Sequence, residues 1–152
     1  MTKADKVLVI LLRYLMGIGG LFALVAVLMP LSWMAATHRW LGLGEMPTGP
    51  VVEYLARSVS MFYALFGALC LVLASDLKRY RPLVRLLGVA LAFMGVVYTG
   101  VDLAAGMPWW WTALEGPPAV PLGAWVFVLA RPVPEPHLLG VAPCQPPASL
   151  PS

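Results

Sequence analysis

The sequence predicts an all-α integral membrane protein, a bundle of four transmembrane helices, on three observations. Hydrophobic residues make up 61% of the chain and charged residues only 11%, with a mean hydropathy of +0.84, whereas a soluble domain carries about 25% charge. The apolar residues run in blocks of membrane length rather than in the one-sided stripes of a water-facing helix. The basic residues gather beside alternate ends of those blocks, as membrane topology requires.

The first block runs from Val7 to Met29, interrupted by Arg13 and closed by Pro30. At 1.5 Å per residue it extends roughly 34 Å, enough to cross a bilayer with some tilt. Arg13 lies close enough to the entry to snorkel to the headgroups alongside Lys3 and Lys6. A cleaved signal peptide fits this block less well, because the apolar run is too long and carries that arginine. The second span is placed at Val51–Ala74 and the third at Leu83–Val101, with a turn from Ser75 to Pro82 between them. The fourth block, Pro118–Ala130, reaches only roughly 20 Å as a helix against a core of about 30 Å. It can cross by starting near Trp111 and carrying Glu115 inward, and Arg131 then provides a basic stop; three spans with a short re-entrant fourth segment is the alternative. Residues 1–131 thus form the transmembrane unit. Residues 132–152 hold seven prolines among 21 positions and are expected to be a disordered, polyproline-like cytoplasmic tail.

With four spans, Lys3, Lys6, Arg13, Lys78, Arg79, Arg81, Arg85 and Arg131 share one side, and only Arg39 and Arg57 fall on the other. The positive-inside rule then places both termini in the cytoplasm, which for a bacterial protein means the inner membrane. The net charge of +3 reads mainly as a topology signal; the Lys78–Arg85 cluster can also meet anionic lipid heads. No basic surface interleaved with aromatics suggests nucleic acid.

The outer loops carry the aromatic residues. Ser32 to Gly42 reads as a short helix capped by Ser32 and stopped by Gly42, with Trp33 and Trp40 on one face and His38 and Arg39 on the other. Trp109, Trp110 and Trp111 follow Pro108 at membrane depth; they fit an aromatic belt, or a stacking platform for a flat ligand.

Two stripes organise the middle spans. Glu53, Arg57, Ser60, Ala64 and Gly67 recur every three or four positions, as do Gly88, Ala92, Gly95, Thr99 and Asp102. Small residues at this spacing let helices approach closely in lipid, and the two stripes are expected to face each other or the bundle centre. Arg57 and Asp102 then lie at one height, roughly 27–30 Å above the Ser75–Pro82 turn, and an ion pair between them, with Glu53 as second acceptor, is expected. Two readings of this cluster stand. It is a clasp that fixes helix register, or Glu53, Arg57, Asp102, Glu115 and His38 line an outward-opening pocket.

Cys70 and Cys144 are the two cysteines and form no Cys-x-x-Cys pair, so disulfide exchange lacks its parts. Cys70 reads as an inert buried thiol. His38 and His137 fall on opposite sides of the membrane, and no ligand spacing suggests zinc or haem. Gly17 to Gly20 lies inside the first span and reads as helix packing rather than a phosphate loop.

The succession Tyr54-Leu55-Ala56-Arg57-Ser58 with Tyr63 and Gly67, then Asp76 and Arg79-Tyr80-Arg81-Pro82, then Asp102 with Gly106-Met107-Pro108, resembles small bacterial membrane proteins of the BphX-like and broader DoxX-like kind. The resemblance covers roughly residues 30–118 and implies a four-helix bundle and, in some members, association with redox complexes. It supplies no catalytic residue. The expected function is that of a small non-catalytic inner-membrane protein, an accessory subunit packing against other membrane subunits or copies of itself; the alternative is a redox-associated protein that binds a quinone-like or other lipid-soluble ligand. No cofactor is expected beyond such a quinone or lipid.

Overall fold

A computed structural model describes residues 2–131, so the proline-rich tail with His137 and Cys144 lies outside the described residues. The chain forms helices α1 (Lys3–Leu28), α2 (Leu31–Trp40), α3 (Pro50–Ser75), α4 (Leu77–Ala105), α5 (Trp109–Glu115) and α6 (Ala119–Leu129). Three of them, α1, α3 and α4, are long and apolar enough to cross a membrane.

Local chemistry sets the ends of these helices. Thr2 and Asp5 form a capping box at the start of α1, each side chain accepting from the other's backbone N–H at 3.1 and 2.9 Å. Within α1 the coil widens to a π-helix over Leu11–Ile18 and breaks at Phe22–Ala23 before Leu24–Leu28. Gly42 ends α2 at φ 70°, with the Gly42 and Leu43 N–H groups donating back to Arg39 and His38. This is the expected stop, although the helix begins at Leu31 after Pro30, without a Ser32 side-chain cap.

The third span starts earlier than the sequence suggests. Asp76 accepts from the Arg79 N–H at 3.1 Å and nucleates α4 at Leu77, so Pro82 sits inside the helix rather than ending a long turn. Its missing N–H opens only the bond to the Lys78 carbonyl, at the polar end of the helix. The fourth segment is a helix in two pieces, α5 and α6, separated by Gly116–Pro118; α6 alone, with 11 residues, reaches about 16 Å.

The helices associate as two pairs, and the two stripes do not face each other. Gly67 of α3 packs on α1, where an added Cβ would stand 2.6 Å from the Gly17 carbonyl oxygen and 2.8 Å from the Leu21 nitrogen. Gly88 and Gly95 of α4 pack instead on the fourth segment, where an added Cβ would stand 2.7 Å from the Phe127 nitrogen and the Gly116 carbonyl oxygen respectively. The small-residue stripes were legible, but each is used inside its own pair. The pairs converge at the end holding the α3–α4 turn, hereafter the turn end. The core sits there: Leu8 and Leu12 of α1, Cys70 and Leu73 of α3, Val84 of α4 and Val126 of α6 are all buried. Towards the opposite, loop end the pairs separate.

Candidate functional site

Arg57, half-buried on α3, does not reach Asp102. Its Nε and Nη2 donate to Glu53 Oε1 at 3.1 and 2.9 Å, and its Nη1 and Nη2 donate to the carbonyls of Val27 and Met29. Those carbonyls belong to the last turn of α1, where the helix has run out of N–H partners and presents the negative end of its dipole. A planar guanidinium with several donors satisfies both carbonyls and the carboxylate at once. The clasp therefore exists, but it joins α3 to α1.

Asp102 lies on the other pair, in the last turn of α4. Across the α4 seam, Ala92 meets Gly123, Gly95 meets Ala119, and Thr99 meets Gly116; Asp102 follows further along α4, and Thr112 on α5 precedes Gly116. Both residues are 7% exposed. Oδ2 of Asp102 and Oγ1 of Thr112 are buried without a hydrogen-bond partner among the described residues. The ion pairs among those residues are Arg39–Glu45, Arg57–Glu53 and Arg81–Asp5.

The remaining expected site residues do not join one pocket. The His38 ring Nδ1 lies 3.0 Å from the Gly44 carbonyl oxygen in the loop after α2. Trp33 and Trp40 are 65% and 83% exposed, so the aromatic face of α2 is open rather than packed on the bundle. Trp109 is exposed, and Trp110 and Trp111 meet edge to face at 5.7 Å. The Trp111 indole N–H donates to Glu115 Oε2.

Glu115 belongs to a different feature, which the sequence did not suggest. Where the two pairs diverge, a groove of about 840 Å³ opens between α3 and α4, walled by Phe62, Phe66, Leu69, Leu87, Leu91 and Met94 among others. Its polar side chains are Tyr63, Tyr98 and Glu115. Tyr63 of α3 and Tyr98 of α4 are neighbours in its lining. The groove lies within the 300–1,000 Å³ range typical of small-molecule sites. It can hold an apolar body along its walls and hydrogen-bond a head group at the three polar side chains. A groove is the space between faces, so no residue spacing announces it, and Tyr63 and Tyr98 are two of five tyrosines that all lie in the long helices. Among the described residues no three His, Cys, Asp or Glu side chains come together to hold a metal ion.

At the turn end, Arg81 of α4 pairs with Asp5 of α1, their side chains 14% and 8% exposed. Its Nη1 also donates to the Arg131 carbonyl, just past α6, at 3.0 Å. One guanidinium thus ties the start of the first pair to the end of the second. Sequence reasoning assigned Arg81 to topology and passed over Asp5; the available signal was an acid set between Lys3 and Lys6 ahead of an apolar span. Compared with family models, curated proteins and solved structures, the chain matches none of them.

Proposed function

We propose that this chain is a multi-pass membrane protein without catalytic chemistry of its own, and that it holds a lipid-soluble amphiphile between its two helix pairs. The observation that carries this reading is the groove, apolar along its walls and hydroxyl- and carboxyl-bearing at Tyr63, Tyr98 and Glu115. In lipid such a space does not stay empty, and fixed polar groups in it orient whatever enters. Four crossings, with α5 and α6 together as the fourth, a bacterial inner-membrane location and cytoplasmic termini belong to the same proposal and rest on the distribution of Lys and Arg. Kinship with BphX-like and DoxX-like proteins is part of it too, resting on the sequence layout from Tyr54 to Pro108.

Ala90 lines the groove, and Ala90→Trp would fill it. Organic extraction of the purified protein followed by mass spectrometry should recover a stoichiometric amphiphile from the wild type and little from Ala90→Trp. Equal recovery from both would count against the groove as a binding site.

A second reading, an accessory subunit packing on another membrane helix, draws on a shallow apolar furrow beside the α4–α6 seam, lined on its exposed side by Val89, Phe93, Val96, Ala124 and Val128. Copurification of a membrane partner lost in Ala124→Trp, with bound amphiphile unchanged, would favour it.

A further inference from the structure

We propose that the groove selects an uncharged amphiphile whose head carries a hydroxyl group, and rejects lipids with anionic phosphate heads. This inference rests on the groove being a ligand site and adds the chemistry of the head. The lining contains no lysine, arginine or histidine, so a phosphate head entering it finds no counter-charge. It finds the Glu115 carboxyl instead, which supplies no positive charge and repels an anion whenever it is ionised.

The hydrogen-bonding capacity points the same way. Oε2 of Glu115 already accepts from the Trp111 indole, which fixes that carboxyl group and leaves Oε1 open to a donor. The Tyr63 and Tyr98 hydroxyls each donate and accept. A head that both donates and accepts, an aliphatic or ring hydroxyl, completes this set, whereas a phosphate diester only accepts. The basic side chains that would suit phosphate stand elsewhere. Arg57 is spent on Glu53 and the α1 carbonyls, and the arginine pairing at the turn end goes to Asp5. The groove therefore discriminates by the absence of positive charge as much as by the presence of hydroxyls.

Two probes with the same chain and different heads, 1-hexadecanol and the diester hexadecyl methyl phosphate, test this on the delipidated full-length protein by native mass spectrometry from detergent. The wild type should bind the alcohol at least about tenfold more tightly than the phosphate, a free-energy gap of about 1.4 kcal/mol. Glu115→Gln keeps an acceptor and removes the charge, so phosphate binding should rise about tenfold while alcohol binding changes by less than about threefold. The double variant Tyr63→Phe/Tyr98→Phe should weaken the alcohol about tenfold and leave the phosphate unchanged. Equal binding of both probes to the wild type, abolished by Ala90→Trp, would overturn the head selectivity and leave the groove as a binding site. Binding of neither probe, or binding that Ala90→Trp does not reduce while its unfolding temperature matches the wild type, would overturn the groove itself.

Discussion

The two helix pairs use the same seam and finish it differently. Both close on glycines that admit a neighbouring backbone, Gly67 against α1 and Gly123 against α4. At the loop end of the first pair, Arg57 takes up the last carbonyls of α1 together with Glu53. At the loop end of the second, Asp102 and Thr112 are buried with oxygens that have no partner among the described residues. An arginine can satisfy several acceptors at once because helix termini supply carbonyls in surplus; a buried carboxylate needs donors, and a helix C-terminus has none to give. Arg57 and Asp102 therefore settle inside their own pairs rather than with each other.

The largest effect should come from separating the pairs at the turn end. Asp5→Ala strands Arg81 in a nearly buried position and should cost about 3–5 kcal/mol, read as the unfolding midpoint in detergent, whereas Asp5→Leu combined with Arg81→Met should recover most of the loss. A midpoint for Asp5→Ala within error of the wild type would mean that the pairs hold together without this contact.

Overfilling a seam comes next. Gly123→Leu places atoms where a Cβ alone would stand 2.5 Å from the Ala92 nitrogen and the Gly88 carbonyl oxygen, and should destabilise by about 3 kcal/mol. The loop-end contrast is sharpened by a matched pair of variants. Arg57→Met should cost about 1.5–3 kcal/mol by orphaning the Val27 and Met29 carbonyls, while Asp102→Leu should gain about 1 kcal/mol by removing an unsatisfied buried oxygen. Equal losses in both would restore the idea of one shared cluster. The smallest effect belongs to Gly100 on α4, which faces open space; Gly100→Ala should gain about 0.5–1 kcal/mol from helix entropy alone.

The long apolar helices and the small-residue stripes were legible because length, hydropathy and the three-four spacing are local properties of the chain. Which stripe meets which was not, because any two small-residue faces are interchangeable partners until the whole packing is known; the Arg57–Asp102 expectation failed at that step. The start of α4 was misplaced because the turn was drawn from Ser75 as far as Pro82, while Asp76 supplies a cap six residues before the proline that makes it tolerable. The groove was invisible for a further reason. It exists only where α3 and α4 fail to pack, and periodicity reports the faces that do pack.

The α3–α4 turn occupies little more than Asp76, yet among the described residues it is the only covalent bridge between two halves that each bring their own packing partner. A nascent chain would complete the first hairpin before any of the second had been made, and the second could close on itself afterwards without consulting the first. Arg81 is the point of agreement: it meets Asp5 from the beginning of the chain and the Arg131 carbonyl from the end of the described helices. Separate expression of 1–75 and 76–131 should for that reason yield two hairpins that find each other in the membrane, with the guanidinium as the latch that registers arrival of both.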